Sequence, residues 1–353
     1  MFWLFEFVSS FEFRISNLDC GHITALYKDS EMKEAINSDV NKIKVGVVGV
    51  GSLGQWHARV YSELPGAELV GVYDINARRA RDIASRYKTK PFSDFNELAA
   101  QVDAASIVVP ADKHHAVAMQ MIARGVNLLV EKPIAVTTSE AEDMVKAAGE
   151  KKLVLQVGHI ERFNPVMKFL ESILVRPRFI EAHRLSPYPT SLFGGKPRGT
   201  EVSVILDMMI HDLELILYLV RSPVKEIHAV GVPVISPSED IANVRLTFED
   251  GCVANVTTSR ISQESLRKIR VFQEDAYISL DYQRQAGEIY RREAGRIKKN
   301  RVPIEKGDAL FNELESFVKC VRSKSSPMVS GEHAAEALNL AVAICQKSRE
   351  QFS

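Results

Sequence analysis

From Lys42 onward, apolar and polar positions follow two rhythms, and the change between them divides the chain. In the first, short apolar runs at residues 43–48, 68–73, 104–109, 126–130 and 154–157 alternate with longer stretches at 55–64, 78–87, 95–101, 115–124 and 139–151. Those stretches carry their apolar residues at helical spacing, and the first stops at the breaker pair Pro65-Gly66. A strand apolar on both faces must be covered on both faces, so the alternation predicts a parallel sheet sandwiched by helices. The second rhythm begins after about residue 160. Residues 178–184, 225–234, 241–249, 252–259, 268–273 and 276–282 read as strands, and Val244, Leu246 and Phe248 alternate there with Arg245 and Thr247. A period of two leaves one face wet, as in an antiparallel sheet, and Glu249-Asp250-Gly251 supplies a tight turn. An apolar helix at about 202–220 and two closing helices at about 308–322 and 331–349 complete the pattern.

Composition narrows the possibilities. At 353 residues two domains are expected: 39–160 around the parallel sheet, and 161–353 as an α+β domain on a large, mostly antiparallel open sheet. The 45 basic side chains balance 45 acidic ones, which argues against a nucleic-acid partner. Cys20, Cys252, Cys320 and Cys345 lie far apart, so neither a disulfide framework nor a structural zinc is expected, and a reducing cytoplasm fits. No apolar run is long enough for membrane insertion. The opening MFWLFEFVSSFEF is interrupted by Glu6 and Glu12 and lacks a basic leader, so it reads poorly as a signal peptide. Residues 1–38 are expected to be a poorly ordered appendage, with Met32 a plausible start; a membrane-surface anchor is the sharper alternative.

The first strand runs into Gly49-Val50-Gly51-Ser52-Leu53-Gly54, and a helix follows. In that context the glycines permit a tight turn, a close backbone approach to a pyrophosphate and close helix–sheet packing, while the freed helix amides face the phosphates. Asp74, ending the next strand, is placed to accept hydrogen bonds from the adenosine ribose and to repel a 2′-phosphate. NAD is therefore the expected cofactor of a Rossmann domain, with Arg78 and Arg79 keeping NADP open. A second strand ends in Glu131-Lys132-Pro133, which puts Lys132 over the ligand crevice; a surface lysine is the plain alternative. Within the apolar helix, Asp207 and His211 stand four residues apart, a spacing that lets a carboxylate orient an imidazole for acid–base work or simply cap a core. The run Gly158-His159-Ile160-Glu161-Arg162-Phe163-Asn164-Pro165 reads as a solvated linker or a ligand-facing connection, in which Arg162 and Asn164 meet substrate. His114 and His115 diverge on a helix and no HExxH occurs, so no metal site is expected.

Together the glycine turn, the Pro110–His114 loop, Glu131-Lys132-Pro133-Ile134-Ala135 and Asp207-x-x-x-His211 resemble the glucose–fructose oxidoreductase/inositol dehydrogenase (GFO/IDH/MocA) family over about residues 42–350. The resemblance implies catalytic roles for Lys132, Asp207 and His211, and cofactor-lining ones for Pro110, His114, Glu131 and Lys132. It implies a homo-oligomer, dimer or tetramer, formed through the antiparallel sheet. The phrases VGHIERFNP, FIEAHRLSP and LDMMIHD are similar to those of bacterial members that oxidise the 3-hydroxyl of a nucleotide sugar ahead of an amination in lipid A synthesis. One departure is Glu201-Val202-Ser203-Val204, where many members carry glycines. The expected activity is NAD-dependent oxidation of a sugar ring hydroxyl to a ketone. The rivals are a dehydrogenase of a free polyol or inositol, and a silent NAD-sensing regulator that would have no need of Lys132, Asp207 and His211.

Overall fold

Six parallel strands form the first sheet of the computed structural model, which describes residues 42–189 and 202–350. They are β1 (Ile43–Val48), β2 (Ala67–Tyr73), β3 (Lys90–Phe92), β4 (Ala104–Ile107), β5 (Asn127–Glu131) and β6 (Leu155–Gly158), in the order β3-β2-β1-β4-β5-β6. The chain reverses direction across the sheet between β1 and β4, which opens a crevice at the carboxyl ends of the strands. Helices α1 (Gly54–Glu63), α2 (Ala77–Arg86), α3 (Phe95–Ala99), α4 (His114–Ala123) and α5 (Thr138–Glu150) connect the strands. Side-chain caps start three of them: Asn76 accepts from the Arg78 and Arg79 amides, Asp94 accepts from the Asn96 amide, and Thr137 with Glu140 forms a capping box. Val45, Val47, Ile107, Leu129 and Val130 are fully buried, as strands covered on both faces require. At three residues, β3 is too short for any periodicity to announce it.

The second sheet has eight strands: β7 (Phe179–Leu185), β8 (Val224–Val232), β9 (Ile241–Phe248), β10 (Val253–Ser259), β11 (Leu266–Phe272), β12 (Ala276–Asp281), β13 (Ala286–Glu293) and β14 (Arg296–Arg301). Their order is β14-β13-β12-β11-β7-β10-β9-β8, and every pairing is antiparallel except β7 with β10. Between β9 and β10 the expected turn is present, with Gly251 at φ +86°. The hairpin β13–β14 was not expected. Its outer strand, Arg-Ile-Lys-Lys-Asn-Arg, is exposed throughout and has no apolar alternation; its charges protect an open sheet edge. Helix α6 (Pro165–Ile173) was also unexpected and is capped by Asn164.

The helix expected at about 202–220 is interrupted. Ile205–Met209 forms a π turn, and only then does α7 (Ile210–Val220) run as a regular α-helix. A π turn admits an extra residue and rotates whatever precedes it against whatever follows. Two last helices are α8 (Ala309–Ser323) and α9 (Gly331–Glu350). The second lies against β8 and α7, but α8 returns to the first sheet, packing Leu314, Phe317, Val318 and Val321 among Val45, Val47, Tyr61 and Leu64. Burial of each large apolar side chain there is worth about 1.5–3 kcal/mol. The boundary expected at residue 160 separates the two sheets but not their cores. From Ile43 onward the chain is one compact unit. Expectations for residues 1–38 and for Glu201 lie outside the described residues.

Candidate active site

The glycine turn has the shape a dinucleotide needs. Gly49 has φ +88°, and a side chain there would strike the Val108 carbonyl oxygen at 2.6 Å; one at Gly54 would come within 1.9 Å of the Gly49 carbonyl oxygen. At Gly51, by contrast, an added carbon meets no atom nearer than Arg79 Nη1 at 3.8 Å, so the space over the turn stays clear for a phosphate. The N-cap residue of α1, Leu53, supplies no side-chain cap to the first amides, and Ser52 and Leu53 are exposed beside them. These residues fit a bound pyrophosphate. Asp74 is buried just past the end of β2; its oxygens accept from the Val50 amide (2.9 Å) and the Asn76 amide (2.8 Å), and Arg79 Nη1 approaches to 3.4 Å. The carboxylate thus holds the turn in place and retains lone pairs toward the crevice.

Lys132 stands where β5 opens into the crevice, before a cis peptide to Pro133. Its ammonium reaches across to the π turn of the second half, meeting Asp207 Oδ1 at 3.1 Å and the Asp207 carbonyl oxygen. Next to this pair, in the first turn of α7, is His211. Burial, then the charge of Lys132, pushes its pKa well below the usual histidine range, so the ring is neutral. His159, directly after β6, packs edge-on against it with 5.8 Å between ring centroids. A cation, its carboxylate partner and two neutral imidazoles therefore meet at the carboxyl ends of β5 and β6.

Several expected roles need correction. Asp207 does not orient His211: among the described residues no hydrogen bond joins them, because the π turn breaks the i, i+4 stacking that a regular helix would give. Arg162 does not face substrate; its guanidinium donates to Glu214 at 2.8 Å, both side chains are 2 % exposed, and it lies over the Tyr218 ring. Asn164 is spent on capping α6 and on the Tyr282 carbonyl. His114 is buried, its ring nitrogens 2.8 Å from the Pro133 carbonyl and 3.0 Å from that of Val109, so it braces two crevice loops behind an exposed Pro110. Glu131 turns inward. Burial is the largest influence and raises its pKa, but the His57 hydrogen bond and the charges of His57 and Lys132 together outweigh it and hold the carboxyl below its usual range. As an anion it accepts from His57 Nε2 at 3.0 Å, and the hydrogen bonds continue from His57 Nδ1 to the Ser106 hydroxyl (3.1 Å) and from there to the Tyr61 hydroxyl (2.8 Å).

Under the site lies an ionic layer that sequence reasoning missed. Arg184 is gripped by Asp212 (2.7 and 3.2 Å) and Glu161 (3.1 Å), all buried. The available signal was Asp212 and Glu214 inside an otherwise apolar helix, since buried charges must be paired. His57 and His159 had weaker signals, each a polar residue at a position facing inward. Among the described residues no group of His, Cys, Asp or Glu is arranged to hold a metal, and Cys252, Cys320 and Cys345 are free and buried.

The chain is similar to known proteins over most of its length. Residues 43–159 match the GFO/IDH/MocA oxidoreductase family, described as having an NAD-binding Rossmann fold, and residues 173–279 match the GFO/IDH/MocA C-terminal domain. A UDP-N-acetylglucosamine 3-dehydrogenase of Acidithiobacillus ferrooxidans is 36% identical over 86% of this chain and 96% of its own. A crystal form of that enzyme superposes with a TM-score of 0.81 at 35% identity, covering 87% of this chain and 98% of the other. A myo-inositol 2-dehydrogenase of Thermotoga maritima is 25% identical over 88% of this chain and 97% of its own.

Proposed function

Since the chain belongs to the GFO/IDH/MocA family of NAD-binding oxidoreductases, we propose that it oxidises the C3 hydroxyl of UDP-N-acetylglucosamine to a ketone in the cytoplasm, as a step toward lipid A. The observation that carries the chemistry is the Lys132–Asp207 pair placed beside neutral His211 over the strand ends. The substrate rests on 36% identity to the Acidithiobacillus enzyme across nearly its whole length.

Gly49, Gly51, Gly54 and Asp74 would hold NAD, which when bound supplies the hydride acceptor. His211 takes the hydroxyl proton. The Lys132 ammonium donates a hydrogen bond to the same oxygen and stabilises the negative charge that develops there. Asp207 keeps that ammonium aimed, while Glu131 accepts from the Lys132 amide at 3.3 Å and steadies the turn that presents it. Incubation with NAD and either UDP-N-acetylglucosamine or free myo-inositol, followed at 340 nm, separates the readings. Appearance of NADH with the nucleotide sugar alone is expected; turnover of inositol alone overturns the substrate assignment, and turnover of neither sugar despite NAD binding favours a sensor.

A further inference from the structure

His159 is 1% exposed, and among the described residues neither of its ring nitrogens has a hydrogen-bond partner. The adjoining His211 ring, at 79° to it, likewise has its Nδ1 buried and unpartnered. Three such nitrogens in two touching rings are unusual, because nearly every buried polar atom in a native protein is paired with protein or ordered water. A single water held by two to four polar groups is the ordinary solution.

The pairing bears on the chemistry. An imidazole can accept a hydroxyl proton at one nitrogen only if its own proton sits on the other, and the partner of that other nitrogen decides the tautomer. Asp207 would be the obvious partner from spacing alone, but it is committed to Lys132. With Nδ1 turned into the protein, Nε2 is the nitrogen of His211 left to meet substrate. We propose that His159 is the positioning residue for His211: one bridging water accepts the hydrogen bond from His211 Nδ1–H and donates one to a His159 ring nitrogen, which leaves the Nε2 lone pair facing the sugar hydroxyl. The inference rests on reading His211 as the proton acceptor. A relay of this kind needs His159 to stay neutral, and its surroundings enforce that. Burial, followed by the charge of Lys132, brings its pKa down to about 3; Arg162 and Arg184 act in the same direction and Glu131 against them. His159 thus takes no net proton, and the proton gained by half-buried His211 leaves to solvent after the ketone forms.

The test uses the full-length protein with 15N-labelled histidine and NAD bound, with the His211 signals identified by their loss in His211→Asn. Wild type is expected to show His211 protonated at Nδ1 alone, and His159→Phe a mixture of tautomers. The same change should lower kcat/KM by about 10–100-fold, by analogy with losing the outer partner that orients a metal-ligating histidine. NAD affinity, read by NADH fluorescence competition, should not move. His159→Asn and His159→Gln keep an acceptor, and at least one should recover most of the rate together with the single tautomer. A wild-type His211 protonated at Nε2, or an unchanged tautomer in every His159 variant, overturns the proposal. Should the Phe variant not fold, the wild-type spectrum and the amide variants still decide. The spectrum is independent of which sugar is oxidised, so absence of turnover on all sugars would count against the functional reading and not against this one.

Discussion

Replacing Arg162 by methionine removes a guanidinium 2.8 Å from Glu214, in a pair whose side chains are each 2% exposed. Methionine keeps much of the apolar volume, so the main loss is electrostatic: a carboxylate is left in the core without its cation. Breaking a buried pair in this way costs about 3–5 kcal/mol, and loss of the stacking on Tyr218 adds to it. Glu214 has one escape, which is to take up a proton. Burial already pushes its pKa up to about 7 in spite of Arg162, and without the arginine it rises further. A carboxyl whose folded pKa is raised binds protons more tightly in the folded state, so stability declines as pH climbs from about 4.5 through the folded value. The deficit of the variant should therefore be larger at pH 8 than at pH 6. Arg162→Met combined with Glu214→Met removes both charges and should return to within about 1 kcal/mol of wild type. Urea titrations followed by far-UV circular dichroism at both pH values measure this, beside KM for the sugar in each variant. A variant with the wild-type urea midpoint but a KM raised tenfold or more would refute the argument, because Arg162 would then be a substrate ligand after all.

Lys132→Met should lower kcat by about 10²–10³-fold, the cost of losing one donor to a developing oxyanion, while NAD affinity measured by fluorescence stays unchanged. Asp74→Ser removes the negative charge beside Arg79, and the ratio of kcat/KM with NADP to that with NAD should rise at least about tenfold, an electrostatic difference of ~1.4 kcal/mol. An unchanged ratio would mean that Asp74 serves only the turn. Glu313 is fully buried, and among the described residues neither carboxylate oxygen has a partner; burial and then nearby Glu131 raise its pKa well above the ordinary value. Its folded state therefore takes up a proton that the unfolded chain releases above about pH 4.5, and stability is lost as pH rises from there. Thermal melts should show Glu313→Gln gaining on wild type between pH 6 and pH 8.5; parallel pH slopes would contradict this.

Much of this architecture could be read from local pattern. The five apolar runs of the first half and six of the strands of the second are where their periodicities put them, and the closing helices begin at Ala309 and Gly331. Charged β14 and three-residue β3 escaped because neither buries an alternating face, so neither leaves a hydrophobic trace. Around the site, sequence identified residues better than partners. Lys132, Asp207 and His211 do come together, but spacing paired Asp207 with His211 on the assumption of an unbroken α-helix, and the π turn delivers it to a lysine 75 positions away in sequence. Arg162 was legible as a cation near a strand end; that it would be neutralised by Glu214 depends on how α7 docks, which no local rule encodes. His159 had no partner that spacing could propose, since His211 reaches it only through tertiary structure.

The return of α8 to the first sheet separates what evolution can recognise from what a cell can assemble. The stretch at 43–159 is matched by a single family model, yet the wall behind its glycine turn is built by Leu314, Phe317 and Val318, translated 260 or more codons after Gly54. At a synthesis rate of about 5–20 residues per second, Tyr61 and Leu64 wait on the order of ten seconds or more for their neighbours. An excised cofactor module would keep that apolar face bare permanently. The nucleotide-binding half is thus a unit of descent without being a unit of folding, and a premature stop codon near residue 305 would damage it by removing α8.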